Sequence, residues 1–491
     1  MSSTILFLVL VCFFGLLFAI SYITSKNVNT ETFFTGNRRS PWYMVAFAMI
    51  GTTISGVTFI SVPGEVGHSA WTYLQFLMGN FVGYWVVALV LIPLYYRLQL
   101  ISIYTYLDQR FGVRSYKTGS FFFLVSRTIG ASFRMYLVAG VLQIAFFDAL
   151  GIPFWATVAI AIFMIWAYTH RAGIKTIIWT DSLQTTFLLA SVVLTIFIIS
   201  NQLDWSLLKM VKAIDENPLS KTFDWDWRSK TNFFKQFFAG LGIVIVMNGL
   251  DQDIMQKSLT CKNKFDAQKN LYWFSLAFII VNLLFLCLGV MLYTFAQQKG
   301  IAVPEKTDDF FPLLALNHFG TLAGVLFLLG IVSATYSSSD SALTALTTSF
   351  CIDFLKLDPQ ASDSKSKRMK VHVGFSFLMF LVIILFRIIN DESVVTAVFK
   401  VAGYTYGPLL GLFAFGILTK KRVNDRYVPV VGLLSPVLTY IINANSEAWL
   451  GGYKFGFELL LLNGMIMFAG LLLLTTNKPI THETNATLPR A

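Results

Sequence analysis

The sequence predicts an all-α integral membrane protein of about thirteen transmembrane helices, and three observations carry that prediction. Hydrophobic residues fill 56% of the 491 positions and charged residues only 13%, a balance typical of polytopic membrane proteins rather than soluble enzymes. The apolar residues gather in runs near the 20 or so residues that a helix needs to cross a hydrocarbon core. The basic residues lie in the short connectors between these runs, and they favour one side. This placement also excludes nucleic acid as the reason for the formal charge of +11.

The runs fall at roughly 4–22, 42–66, 70–96, 116–147, 152–169, 174–200, 232–256, 267–297, 319–355, 369–388, 393–418, 427–444 and 455–476. The first has no basic residue before it, which argues for a retained span over a cleaved secretory signal. With thirteen spans, connectors alternate sides. One side then holds 24 of the 37 Lys and Arg and the other holds 9, five of them in the long 201–231 loop. Residues within two positions of a run's end are counted with the adjoining connector, and the remaining four, Arg127, Arg134, Lys235 and Lys400, lie deeper within spans. Positive connectors face the cytoplasm, so the N-terminus is expected outside, the C-terminus inside, and the chain in a plasma membrane of bacterial inner-membrane type.

Two spans are interrupted. The second reads AFAMIGTTISGVTFISVPG, where Gly51, Ser55, Gly56, Pro63 and Gly64 break an apolar helix. The seventh reads AGLGIVIVMNGLDQDIMQ, with Asn248-Gly249 halfway along. Matching interruptions in two halves point to an inverted-repeat transporter with its site at the midplane. The expected division is 1–41 (an extra N-terminal helix and its connector), 42–201 (first repeat), 202–231 (extracellular loop), 232–418 (second repeat) and 419–491 (two added helices and a short tail). Unwound segments release backbone carbonyls that can hold ions or solute.

The ninth span contains GIVSATYSSSDSALTALTTSF, Gly330 to Phe350. Ser333, Ser337, Asp340, Ser341 and Thr344 share one face at helical spacing, with Ala334 and Ser338 beside it. Small hydroxyl residues also let membrane helices pack closely, but an intramembrane carboxylate is costly without a partner. A face of oxygens with one carboxylate suits a small hard cation, and sodium is the ion expected. Elsewhere, Gly79 and Gly83 form a helix-packing pair, and the connectors 36–41 and 365–370 are basic segments beside lipid headgroups. Cys12, Cys261, Cys287 and Cys351 show neither metal-ligand nor disulfide spacing. No phosphate loop or nucleophile–base pair occurs, which argues against ATP drive and against an enzyme.

Several motifs together resemble the sodium/solute symporter family. YLDQRFG (106–112) is similar to the family's connector after the second core helix, and NGLDQDIMQKSLTCKN (248–263) to its sixth core helix and following loop. THRAGIKTIIWTDSLQ (169–184) matches the entry to the fifth core helix at Trp179, Thr180, Asp181 and Gln184, with Ala172-Gly173-Ile174-Lys175 varying the turn. AGYTYGPLLGLFAFGI (402–417) resembles the tenth. The resemblance implies a 5+5 inverted-repeat core with discontinuous first and sixth core helices, closest to bacterial sugar- or sialic-acid-type members. It also implies sodium-coupled import of a small polar organic solute by alternating access.

Carried over by position, the family's common sodium site implies backbone carbonyls of Gly51, Ile54 and Ala334 with the hydroxyls of Ser337 and Ser338. A second sodium site, present in some members, implies Asp181 with Ser337, Asp340 and Ser341. Asp340 departs from the pattern, where a small or hydroxyl residue is usual. Either that site is more anionic, or one of two mutually repelling carboxylates is protonated; alternatively Asp181 simply pairs with a cation such as Lys175. Solute contacts fall on Ser55, Thr58, Tyr73, Gln75, Asn80, Asn248 and Tyr404. Met247 and Asn248 replace the aromatics of hexose-transporting members, which argues against a simple hexose.

Arg134 stands near a position used by sialic-acid-transporting relatives, and a guanidinium in a low-dielectric cavity is a natural carboxylate ligand. It could instead pair with a structural acid. Arg127 is expected to snorkel toward the cytoplasmic surface. The solutes in view are a sugar acid such as sialic acid, a sugar or a polyol. A proton-coupled amino-acid or carboxylate carrier of the same architecture, or a sensor that has lost transport, are the alternatives. Nothing in the sequence points to an oligomeric state.

Overall fold

The computed structural model describes residues 3–24, 30–169, 173–358, 360–389 and 394–476. Part of the turn before the fifth core helix, Ala172 included, and the polar tail lie outside these residues. Among them, seven helices are long and apolar enough to cross a bilayer, or nine if each of two bent pairs counts as one span. Four shorter apolar helices, Leu8–Thr24, Trp42–Thr53, Phe154–Thr169 and Leu459–Leu473, accompany them. Helices dominate because a lipid-facing backbone must satisfy its own hydrogen bonds.

The helices that position the site are α1 (Ser3–Thr24), α2 (Trp42–Thr53), α3 (Gly56–Ser69), α4 (Tyr73–Val86), α5 (Val113–Leu142), α6 (Phe154–Thr169) and α7 (Ile174–Gln202). The second half follows with α8 (Phe233–Val244), α9 (Gln252–Ser258), α10 (Lys264–Lys299), α11 (Thr321–Ser349) and α12 (Ser364–Ile389). It closes with α13 (Val394–Thr405), α14 (Gly407–Leu418), α15 (Val428–Ala444) and α16 (Leu459–Leu473). A π-turn, Val87–Leu91, and the short helix Ile92–Arg97 continue α4.

The interruptions expected in the second and seventh runs are present, with different extents. The α2–α3 chain leaves the helix at Ile54 (φ −80°, ψ 85°) and Ser55 (φ −82°, ψ 177°). Pro63 and Gly64 do not break α3; the helix runs through both, and the Tyr293 hydroxyl donates to the Gly64 carbonyl at 2.6 Å. The α8–α9 chain widens into a π-turn at Ile245–Gly249, then bends by 69° at Leu250-Asp251. Asp251 caps α9 by accepting from the Asp253 amide at 2.9 Å. A further bend of 48°, absent from the sequence reading, separates α13 from α14 just before Pro408.

Helix α11 lies at the centre, packed along α7 and touching α2, α5 and α9. Its face from Gly330 to Ser349 is buried throughout. The Gly79 and Gly83 pair bring α4 against α8: a Cβ at Gly79 would sit 1.9 Å from the Phe237 carbonyl oxygen.

Candidate functional site

The break at Ile54-Ser55 faces the hydroxyl stripe of α11. Gly51 permits the approach, since a Cβ there would fall 2.3 Å from Thr185 Oγ1 and 3.2 Å from Ser337 Oγ. The Ser337 hydroxyl is fully buried beside the Asp181 carboxylate and makes no full hydrogen bond with a described residue. Ser338, equally buried, donates to the Thr335 carbonyl at 3.0 Å, a bond within its own helix. Ala334 and Ile54 are also fully buried. A helix end with freed carbonyls beside a hydroxyl with no full hydrogen bond suits a hard monovalent cation, because such ions take oxygen ligands and a divalent ion recruits more carboxylates.

One turn along α11 lies a charged cluster. Asp181 Oδ2 on α7 accepts from Lys257 Nζ at 2.5 Å and from Thr52 Oγ1 at 2.9 Å, and Lys257 also donates to Thr52. Asp340 Oδ2 accepts from the Tyr168 hydroxyl at 2.8 Å. Among the described residues, the second oxygens of both carboxylates, Asp181 Oδ1 and Asp340 Oδ1, are buried without a full hydrogen bond, as is the Thr344 hydroxyl. Asp340 lies within electrostatic reach of Asp181 and Lys257. Lys175 is exposed, so the cation beside Asp181 is Lys257 on the broken helix of the other half. Ser341 turns elsewhere and donates to Asp253 Oδ1 at 2.5 Å.

Beside the α2 break lies a cavity of about 80 Å³. Ser55, Thr58, Tyr73, Asn80, Arg134 and Asn248 line it. Gln75 and Tyr404 do not. Gln75 holds a loop instead: its amide nitrogen donates to the Thr231 carbonyl at 2.9 Å, and its amide oxygen accepts from the Asp224 amide at 3.2 Å. Tyr404 faces α15, accepting from Asn443 at 2.8 Å. The tyrosine that reaches the centre is Tyr406, whose hydroxyl donates to Asp251 Oδ2 at 2.7 Å.

The two arginines of α5 behave differently. Arg127 does not snorkel: it is only 3% exposed, binds Asp253 through its guanidinium and lies 3.8 Å from Asp251. Both acids come from the broken α8–α9 chain, so pairing at depth replaces a route to the surface. Arg134 borders the cavity and makes neither an ion pair nor a hydrogen bond with any described residue.

Phe76 and Phe399 line the cavity wall, and their rings meet edge-on at 5.5 Å; Phe457 packs against both. Drug-sized ligands take pockets of roughly 300–1,000 Å³, so a solute of several carbons requires this cavity to widen.

Residues 33–426 match the sequence profile of the sodium:solute symporter family. The chain belongs to that family. This symporter is 26% identical over 455 residues to the sodium/sialic acid symporter NanT of Aliivibrio fischeri, covering 89% of this chain and 87% of that one. It is 24% identical to the sodium/sialic acid symporter SiaT of Proteus mirabilis, over 86% of this chain and 85% of the relative. The human sodium/iodide cotransporter is 25% identical, over 79% of this chain and 61% of the relative. In fold, the symporter superposes on a substrate-bound, outward-open sodium-coupled sialic acid symporter with a TM-score of 0.82, covering 96% and 97% of the two chains at 21% identity. A nucleobase–cation symporter in a closed conformation follows at 0.55, with 13% identity and 89% and 92% coverage. The symporter is thus an α-helical, multi-pass transporter and not an enzyme, and sodium is its coupling ion.

Proposed function

We propose that this symporter imports a small anionic sugar acid of the sialic acid type together with sodium. The observation that carries the solute class is Arg134, a guanidinium at the cavity that makes no direct ion pair or hydrogen bond with a described residue, Asp251 reaching it only at longer range, flanked by hydrogen-bonding side chains from both broken helices. Charge-assisted, bidentate contact with a carboxylate is the interaction such a group is suited to make. Ser55, Thr58, Asn80 and Asn248 would meet hydroxyls of the solute, and Tyr73 one face of it. The names of the two bacterial relatives agree with this reading.

The first sodium site is assigned to the carbonyls of Gly51, Ile54 and Ala334 with the Ser337 and Ser338 hydroxyls. The buried Ser337 hydroxyl, without a full hydrogen bond to a described residue, supports it. A second cation is assigned to Asp181, Asp340 and Ser337, with Thr344 in place of Ser341, because Ser341 is engaged with Asp253. Sodium at the first site would hold the α2 break against α11 and favour the outward-open state. It can do so only by its difference in affinity between states. Solute binding then closes the Phe76–Phe399 side, and inward opening separates Arg127 from Asp253. Thirteen spans with the N-terminus outside, the domain division at 42–201 and 232–418, and residence in the plasma membrane complete the proposal.

A proton-linked variant of this cycle is the second reading, favoured by Asp340 beside Asp181 and Lys257. Two carboxylates and one ammonium leave room for one further positive charge, and a proton or a sodium ion would both satisfy it. The test is uptake of radiolabelled sialic acid into proteoliposomes under inward gradients of NaCl or KCl, with and without a pH gradient. Accumulation under NaCl alone supports the first reading. Sodium-independent accumulation driven by a pH gradient would replace it with the second.

A further inference from the structure

On the face that carries the basic connectors, a second cavity of about 1210 Å³ opens between the ends of both halves. Its walls are the helix Ile92–Arg97, the connector helix Thr105–Arg110, the approach to α10 and the end of α14. Among the described residues, seven Lys and Arg line it and no Asp or Glu does. Two of the seven have structural work: Arg110 donates to the carbonyls of Gly416, Thr419 and Lys421, and Arg38 to that of Gln99. The other five, Arg97, Lys262, Lys264, Lys420 and Arg422, make no side-chain ion pair or hydrogen bond among the described residues. Two acids near the cavity, Asp266 and Asp425, bond to neutral groups, Asn263 and the amides of Arg114 and Ser115, and neither forms an ion pair with the five among the described residues.

Topology requires basic connectors, but not their convergence on one cavity. Five like charges around a shared space repel unless an anion offsets them. The cavity also has an apolar wall. Val90, 42% exposed, lines it together with Pro93 and Leu94, and Leu89 beside them is 58% exposed. Charged and apolar walls side by side match the junction between a phosphate headgroup and an acyl chain, and basic pockets between helices on the cytoplasmic side are suited to such headgroups.

We infer that this cavity binds a phosphate-bearing anion, presented either by an anionic phospholipid or free in solution. The bound group bridges α14 and the approach to α10 in the second half to the α4 continuation in the first. Its consequence for transport rests on the alternating-access reading above, but its binding does not.

The test uses the purified full-length chain in detergent, titrated with phosphatidylglycerol, phosphatidylcholine or inorganic phosphate, with phosphate matched to chloride at equal ionic strength. Readouts are the thermal midpoint and lipid adducts by native mass spectrometry. Phosphatidylglycerol is expected to raise the midpoint and to persist as an adduct, while phosphatidylcholine does neither. The combined variant Arg97→Gln/Lys420→Gln/Arg422→Gln should weaken phosphatidylglycerol binding about a hundredfold. A matching shift with inorganic phosphate assigns the site to the free anion; a shift with the lipid alone assigns it to the headgroup. If the combined variant does not fold, Lys420→Gln and Arg422→Gln singly should each weaken binding several-fold. Equal effects of the two lipids with no response to phosphate, or undiminished adducts in the variants, would overturn the inference.

Discussion

Lys257 Nζ lies 2.5 Å from Asp181 Oδ2, joining the broken helix of one half to α7 of the other, with both side chains wholly buried. Removing one partner strands a charge, which costs about 3–5 kcal/mol for a buried pair, whereas replacing both with apolar groups can be close to neutral. Lys257→Met alone and Asp181→Leu alone should therefore each lower the thermal midpoint markedly. The double variant should recover much of the loss. Midpoints measured as a double-mutant cycle decide it, and purely additive losses would mean that the two side chains are not coupled.

Arg134 and Arg127 should separate into a solute ligand and a structural residue. Arg134 makes no direct ion pair or hydrogen bond with a described residue, so Arg134→Gln should change the midpoint far less than Arg127→Gln. The loss of a charged hydrogen bond, about 1.5–3 kcal/mol, should raise the KM for a carboxylate solute roughly ten- to a hundredfold. Arg127→Gln abandons Asp253 and should destabilise the protein. Uptake kinetics and midpoints for both variants check this, and an unchanged KM in Arg134→Gln would remove that residue from the solute site.

How much of this was legible in the sequence depended on whether a signal was local. The α11 stripe could be read because helical spacing alone aligns Ser337, Asp340 and Thr344. The α2 break could be read because glycine and serine interrupt an apolar run. Lys257 could not: it follows the last residue of its apolar run, so it counts as a connector charge until the 69° bend carries it inward. Arg127 was misjudged for a related reason, since its acids arrive from a chain segment over a hundred residues away. Tyr404 turns to α15 while Tyr406, given no part by the sequence, reaches Asp251, because the bend after α13 changes which face meets the core. Gln75 lies on the right helix, but its partners belong to a loop that no spacing rule reaches.

The α4–α8 contact makes a prediction about stability alone. A methyl group at Gly79 would press on the Phe237 carbonyl, which is backbone and has little freedom to move. Gly79→Ala should cost about 1–3 kcal/mol, the usual range for overpacking, and Gly79→Leu more. Thermal midpoints in detergent measure it, and Gly130→Ala, with nothing within 4 Å of the added Cβ, is the control.

Both serines assigned to the first sodium site should contribute to sodium affinity. The Ser338 hydroxyl donates its proton to the Thr335 carbonyl, which leaves its lone pairs free for a cation, and the Ser337 hydroxyl makes no full hydrogen bond with a described residue and lies beside Asp181. Ser337→Ala and Ser338→Ala should each raise the half-saturating sodium concentration. For each, a loss of about 0.5–1.5 kcal/mol per neutral interaction corresponds to roughly a two- to tenfold rise. The measurement is sodium-dependent uptake at fixed solute, with sodium-dependent thermal stabilisation alongside, since a ligand of the folded state raises stability with its concentration. If neither variant moved the sodium curve while both remained folded, the cation would have to lie elsewhere. The Asp181–Asp340 cluster would then be the next place to look.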